Sequence, residues 1–267
     1  MNSRLLSVIL LLTLCAVPSG LYASEAAERE ADAGALWDEI VRAYVRAGHI
    51  DGIRLNVVDY QSIAADERWP CLLKALEEAV EPEGREEKLA FWINAYNIMA
   101  VHVILQNYPV DSIRDIGNIF RRVWHREAGV VAGEMRTLDE IEHRIIRPIG
   151  EARIHAAVVC AAVSCPPLRM EAYRAERLDE QLDEQMREWL ANEKTGVRAE
   201  RDGSRLVVSS IFRWFTEDFE QDSGSLRAFL DKYMPEDVRA SVPADARIRY
   251  LDYDWSLNDA KRSDARP

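Results

Sequence analysis

A chain of 267 residues with 46 acidic side chains against 34 basic ones carries a formal charge of −12. That balance argues against binding nucleic acid and against electrostatic docking on anionic lipid, since both partners are polyanions. The length suits one generous domain or two small ones, and no internal repeat, low-complexity tract or Gly/Ser linker divides it.

The chain opens on MNSRLLSVILLLTLCAVPSGLYAS, where Arg4 precedes an apolar run from Leu5 to Val17 that ends at Pro18, Ser19 and Gly20. This run is short for a membrane span, and Leu21 and Ala23 are suitably small or apolar for a cut after Ala23. Residues 1–23 therefore read as a secretory signal peptide, which implies a periplasmic or secreted protein with no stable membrane span after cleavage. Leu14 stands where a lipobox needs Gly or Ala before Cys15, so cleavage is favoured over a lipid anchor. Losing Arg4 takes the charge to −13 and leaves three thiols, Cys71, Cys160 and Cys165. An odd count in an oxidising compartment leaves at least one thiol free or paired between chains.

Residues 24–85 read as a helical N-terminal segment packed on the core. From Glu25 to Gly48 the pattern is helical, with Leu36, Ile40 and Tyr44 at i, i+4 spacing, and 73–80 form a second helix ended by Glu-Pro-Glu-Gly at 81–84. A core domain over 86–258 comes next. Its strongest helix is REEKLAFWINAYNIMAVHVILQNYPV, with Glu86 and Glu87 at the positive end of the dipole and Pro109 closing it. No formal charge occurs from Leu89 to Val110, yet Asn94, Asn97, His102, Gln106 and Asn107 favour a buried central helix over a transmembrane one. Residues 123–138 predict a hairpin turning at Ala132-Gly133. Thr137 to Glu140 form a capping box that launches IEHRIIRP, which Pro148 stops. The apolar run 153–163 predicts a strand buried on both faces. A helix over 178–192, a strand at 205–210, helix at 210–219 and a strand at 247–255 complete the domain, and 259–267 read as a flexible tail. Strands this short among so many helices predict an α+β class, a helix-rich single domain around a small mixed β-sheet.

Several residues could carry chemistry. Asn94 and Asn97 share a helix face with Ala90, Ile98 and Val101; they either bridge to neighbouring backbone or orient a catalytic group or ligand. Glu142 projects close to the Leu138, Ile141 and Ile145 stripe, where a carboxylate wants several N–H donors or a cation such as Arg147, His143 or the arginines at 121–122, an ion pair being the favoured role. His143 sits on the flank, between surface and site. In a regular strand His155 and Cys160 face opposite ways, so His155 is no direct base for Cys160 without a bulge. Cys165, past the strand near Ser164 and Pro166-Pro167, is the better placed thiol for solvent access, and Cys160 reads as a packed core thiol. A Cys160–Cys165 disulfide is sterically possible. The Cys-x4-Cys spacing does not suit structural zinc, and no phosphate loop, metalloprotease or hydrolase motif is present, so no metal or cofactor is expected. His49, His102 and His125 read as structural.

Five blocks, FWINAYN (91–97), LDEIEHRIIRP (138–148), RIHAAVVCAAVSCPPL (153–168), IFRWFTEDF (211–219) and YLDYDWSLN (250–258), together make the chain resemble the domain-of-unknown-function family 547. The resemblance implies that Asn94, Asn97, Glu142, His143, His155, Cys160, Ser164, Cys165 and Pro166 belong to a shared pattern. It departs at Val159 and Ala161, where relatives often carry Asn and Gly, and some plant relatives resemble serine at both cysteine positions. The leading functional expectation is an exported soluble protein with a cysteine-peptidase- or transglutaminase-like cleft, acting as a thiol hydrolase or transferase. In it Cys165 or Cys160 is the nucleophile, His155 or His143 the base, Asn97 or Glu142 the orienter, and Asn94 and Ser164 binding residues. The rival is a non-enzymatic periplasmic binding or scaffold module with a buried polar network; a redox role for Cys160 and Cys165 is the third option. The sequence names no partner.

Overall fold

The computed structural model describes residues 33–117 and 122–264; the expected signal peptide and Arg121 lie outside them. Helix α1 covers 33–44 and buries Ala33, Trp37, Ile40 and Val41, an amphipathic stripe at i, i+4, i+7 and i+8. The helix expected to reach Gly48 stops at 44, because Val45–Ile50 is strand β1, paired antiparallel with β2 (Ile53–Val58). Asp51 and Gly52 turn the hairpin with φ of 51° and 67°, the paired positive values that Asp-Gly accepts readily. Helices α2 (Tyr60–Ala64) and α3 (Arg68–Glu78) come next, the second starting five residues earlier than its apolar pattern predicts.

Helix α4 (Arg85–Asn107) is the expected central helix. It is long and apolar enough to cross a membrane, but 83% of its most apolar window is buried inside the protein. Two of its asparagines clamp backbone from elsewhere in the chain. Asn94 donates to the Tyr173 carbonyl at 2.8 Å and accepts the Tyr173 N–H at 2.9 Å. Asn97 donates to the Ala157 carbonyl at 2.9 Å and accepts the Val159 N–H at 2.8 Å. Each amide thus supplies a buried stretch of chain outside α4 with a donor and an acceptor that its own backbone does not provide.

The expected hairpin is present as β3 (Glu127–Val131) and β4 (Glu134–Thr137). Its turn residues Ala132 and Gly133 have φ of 51° and 76°, and their N–H groups donate to the carbonyls of Leu76 and Glu77 at the C-terminal end of α3. The turn therefore satisfies orphan helix carbonyls, which explains why alanine is held at a positive φ there. The capping box closes as predicted: Thr137 Oγ1 accepts the Glu140 N–H at 3.1 Å and Glu140 Oε2 accepts the Thr137 N–H at 3.0 Å. The box opens into a π-helical turn, Glu140–Ile146, and then a 3-10 turn, Arg147–Ile149, ended by Gly150 in the left-handed region.

The buried strand expected at 153–163 is not there. Helix α5 (Ile154–Ala157) occupies its first half, and the chain then runs extended until Ala161, whose φ is 61°. The apolar run reflects burial between helices, which continuous hydrophobicity cannot distinguish from a strand between layers. Beyond Ala161, residues 161–164 lie beside 254–258. Val163 N–H donates to Ser256, Ser164 N–H to Asp254, and Asn258 N–H to Ala161.

The rest of the chain is α6 (Leu178–Leu190), β5 (Val197–Ala199), β6 (Arg205–Val208), α7 (Ile211–Trp214), α8 (Thr216–Ser223), α9 (Leu226–Tyr233), α10 (Glu236–Ser241) and β7 (Arg247–Tyr250). β5 pairs antiparallel and β7 parallel with β6, a small mixed sheet accompanied by the two hairpins. The fold is thus helix-rich α+β, with three small sheets among the described residues instead of one. The strand expected over 247–255 ends at Tyr250. Of the expected flexible tail 259–267, the part up to Asp264 is held: Asp259 is buried, Ala260–Arg262 is a 3-10 turn, and Asp264 N–H donates to His49. Residues 265–267 lie outside the described ones.

Among the described residues two large apolar cores form, beside a small cluster of Ile50, Leu55, Val57 and Val163. One gathers α1, α3, α4, the β3–β4 hairpin, the π turn and 157–173; the other gathers α6, the mixed sheet and α7 to α9. Asn97 is the polar tie that holds 157–159 against α4 in the first core. Replacing it with alanine leaves a buried N–H and a buried carbonyl unpaired, at about 1–3 kcal/mol each. We expect Asn97→Ala to lower the melting temperature by roughly 5–10 °C for a chain of this size. A thermal scan with an unchanged midpoint would sink this assignment.

Candidate active site

The two cores meet at a cleft of about 930 Å³. Its walls include Tyr96, Glu142, His143, His155, Cys160 and Cys165, together with Phe215, Trp214, Tyr253, Trp255, Arg114 and Arg122. Of the residues singled out from sequence, Glu142, both histidines and both cysteines therefore converge. Asn94, Asn97 and Ser164 do not line the cleft: the asparagines clamp backbone, and Ser164 Oγ accepts the Asp254 N–H at 2.9 Å. Ser164 so helps place the segment that presents Tyr253 and Trp255.

His155 is almost fully enclosed, with its side chain 1% exposed. The α5 turn aims its Nε2 at Asp218 Oδ2, 2.7 Å away on α8. Phe215, one turn earlier in the chain than Asp218, stacks flat on the imidazole at 4.0 Å between centroids and 21° between planes. Arg147 grips the same carboxylate with Nε to Oδ2 and Nη2 to Oδ1, both 2.8 Å, the bidentate geometry of a strong charge-assisted pair. Burial alone would raise the Asp218 carboxyl, but the hydrogen bonds from Arg147 and His155 outweigh it and hold the group well below the usual carboxylate range. Burial pushes His155 down, only partly opposed by its bond to Asp218, so the ring is neutral near pH 7. An ionised carboxylate can only accept, which puts the imidazole proton on Nε2 and leaves the lone pair on Nδ1.

The π turn carries the next two groups. A π turn advances about one residue further than an α turn, so Ile141, Glu142 and Ile146 are all buried. Glu142 finds the Tyr96 hydroxyl, at 3.1 Å, as its partner rather than the ion-paired cation expected for it. Burial raises its carboxyl to about 7, a rise that the Tyr96 bond and the more distant Arg147 only moderate. His143 stays half-exposed, its Nδ1 3.0 Å from Arg147 Nη1, and burial also lowers it.

The thiols reverse the accessibility expected from sequence. Cys165 is buried, at 5% exposure, whereas Cys160 is only half-buried and faces the cleft. The left-handed Ala161, at a position where the resemblance expects glycine, folds the loop back so that the two Sγ atoms lie 2.9 Å apart. Cys160 Sγ also lies 3.2 Å from the Tyr253 hydroxyl. Hydrogen bonds from Cys165, Tyr253 and the Ala162 amide pull the Cys160 thiol down against its burial, while burial first, and Cys160 second, drives Cys165 well up. Because 153–163 is no strand, the alternation that would have set His155 and Cys160 on opposite faces does not exist.

Sequence reasoning missed Asp218, Tyr253 and the aromatic wall. Trp214 and Trp255 stack at 5.7 Å and 17°, Trp124 meets Trp255 edge-on at 5.6 Å, and the Arg114 guanidinium lies 5.1 Å from the Trp255 ring centre. Trp214 is 42% exposed, unusual for so large an apolar ring. The available signal was in the IFRWFTEDF and YLDYDWSLN blocks: a carboxylate amid aromatics at helical spacing, and three aromatics alternating with acids.

No curated protein and no solved structure matches the chain significantly. A family model described as "Protein of unknown function, DUF547" matches residues 81–190. Asp218 and the Tyr253–Trp255 wall fall beyond the matched span, so the cleft is completed by the C-terminal part of the chain. Residues 81–190, with Tyr96, Glu142, His143, His155 and both cleft cysteines, belong to the DUF547 family of proteins of unknown function.

Proposed function

We propose that this cleft is a thiol acyl-transfer site, hydrolysing or transferring the acyl group of an ester or amide, with Cys160 as nucleophile, His155 as base and Asp218 as the group that orients His155. The observation that carries the reading is a half-buried thiol with a lowered pKa sharing one cleft with a neutral, carboxylate-oriented imidazole. In the reaction Cys160 Sγ bonds the substrate carbonyl carbon as its proton passes to His155 Nδ1. Collapse of the tetrahedral adduct breaks the bond to the leaving group, which departs with that proton, and a thioester remains. Water, deprotonated by the same nitrogen, cleaves the thioester and restores the thiol; an amine or alcohol acceptor gives transfer instead. Arg147 acts through Asp218, and the Trp214–Trp255 wall lines the substrate's path. The N-terminal segment, with Arg4 and the apolar run to Val17, supports an exported setting. A binding module without chemistry is the competing reading, favoured by the exposed Trp214 on that wall.

A generic acyl probe separates them. p-Nitrophenyl acetate should leave an acetyl group on Cys160, located by peptide mass mapping, and Cys160→Ser should abolish it. Asp218→Asn removes the ionised acceptor, so the imidazole proton is no longer held on Nε2; acetylation should slow ~10²-fold or more. Labelling of Cys160 by iodoacetamide at pH 7 should remain faster in both wild type and Asp218→Asn than labelling of the exposed Cys71. If Cys160 acetylates and alkylates no faster than Cys71, the thiol reading fails.

Glu142 supplies a second check. Its folded carboxyl sits near 7 against an ordinary 4.5, so between those values the unfolded chain loses its proton first. The folded state is therefore progressively disfavoured as pH rises from about 4.5 to 7, by up to roughly 3 kcal/mol, and is unaffected below. Glu142→Gln keeps an acceptor for Tyr96 and removes this penalty. Its melting temperature relative to wild type should rise by several degrees between pH 5 and pH 8. A gap that does not change with pH would mean that Glu142 is ionised throughout.

A further inference from the structure

We infer that Cys165 is a resolving thiol for Cys160, making the pair a reversible dithiol–disulfide site that silences the thiol nucleophile when oxidised. This rests on the acyl-transfer reading only for its consequence; the pairing stands on geometry of its own. The two Sγ atoms are 2.9 Å apart, already inside the separation of two unbonded sulfur atoms, and only a further approach to about 2.05 Å makes the bond. The loop between them is preset. Ala161 takes a left-handed φ of 61°, the Cys165 N–H donates to the Ala162 carbonyl at 3.0 Å, and the Cys160 N–H points at Cys165 Sγ at 2.9 Å. Pairing of 161–164 with 254–258 fixes this loop against the core, so closure requires no unfolding.

The two thiols are also unlike in the way the chemistry needs. Cys160 faces the cleft and is the more readily ionised; Cys165 is enclosed behind it and keeps its proton. An incoming disulfide therefore meets Cys160 first. The Cys160 thiolate attacks one sulfur of the disulfide, forming a mixed disulfide and expelling one thiolate. Charge on Cys160, one of the causes that hold Cys165 up, is then gone. Cys165 yields its proton to the departing thiolate and attacks Cys160 Sγ, expelling the second thiolate. The dithiol has lost two electrons and two protons, and the co-reactant, a low-molecular-weight or protein disulfide, has been reduced to two thiols. Tyr253, whose hydroxyl touches Cys160, is placed to steady that sulfur as it leaves and returns. Cys71 takes no part: it is exposed on α3 and its Sγ faces the Glu67 carbonyl.

The test is exposure of the full-length protein to oxidised glutathione, read by peptide mass mapping. Wild type should yield a linked Cys160–Cys165 peptide, two hydrogens lighter than the reduced pair, while Cys71 carries glutathione and reports that the oxidant has acted. Acetylation by p-nitrophenyl acetate should vanish on oxidation and return with dithiothreitol. Cys165→Ser, with Cys165→Ala as a second variant should serine disturb the fold, should instead accumulate glutathione on Cys160. Glutathione stable on Cys160 of wild type, or no change at Cys160 while Cys71 is modified, would overturn the inference. A linked peptide in a protein that acetylates in neither state would refute the acyl-transfer reading and leave the dithiol site standing.

Discussion

The Asp218 carboxylate is the point on which the two halves of the molecule lock. It sits on α8, in the second core, yet its oxygens are taken by Arg147 at the end of the π turn and by His155 on α5. A carboxylate with only 20% of its side chain exposed is hard to ionise unless several donors replace the lost water. Here two guanidinium N–H groups and an imidazole N–H do so, and the geometry of each partner is then dictated by the others. Arg147 lies 5.1 Å from the Phe215 ring centre, and the same ring stacks on His155, so the pair is stacked as well as hydrogen-bonded. Breaking such a pair from one side strands a partly buried charge, which is why these three residues act as one unit.

Glu142 obeys the opposite logic on a neighbouring element. Its single strong partner is a phenol, which donates one hydrogen bond and no charge. Desolvation therefore wins and the carboxyl keeps its proton to about pH 7. Two acids close together in the fold thus differ in protonation because one faces a guanidinium and the other a hydroxyl. The π turn produces that difference, since its wider spacing brings Glu142 inward while sending Arg147 across to α8.

Much of the scaffold is legible in the chain because it rests on local rules. The capping box at Thr137 and Glu140, the Ala132-Gly133 hairpin and the uncharged central helix all derive from spacing within a few residues. The Asp51-Gly52 hairpin is equally local, and is hidden only because the charged, Ala-rich pattern before it reads on as helix. The site resists for a different reason. Glu142, His143, His155 and the cysteines are recognisable as residue types, but the feature that unites them is nonlocal: Asp218 is 63 residues from His155 and Tyr253 is 93 from Cys160. Alternation places His155 and Cys160 apart because a buried apolar run looks the same whether sheets or helices cover it. The asparagines supply backbone partners, as buried amides commonly must, so they hold the site without lining it.

The groups around the reactive thiol add little negative charge although the chain carries −12. Glu142 keeps its proton to about pH 7, His155 is uncharged there, and Asp218 is cancelled by Arg147. The Cys160 sulfur is stabilised by neutral donors, a thiol, a phenol and an amide, and not by a neighbouring imidazolium. An ion-pair thiol would carry its charge before the substrate arrives and would be penalised for it in a low-dielectric pocket. The negative charge that develops as the carbonyl is attacked appears in a space where Glu142 keeps its proton to about pH 7 and Asp218 is paired, while Arg114 and Arg122 lie in the wall. Absence of like-charge repulsion at that moment favours the transition state more than the ground state, which is what separates a catalytic cleft from one that merely binds.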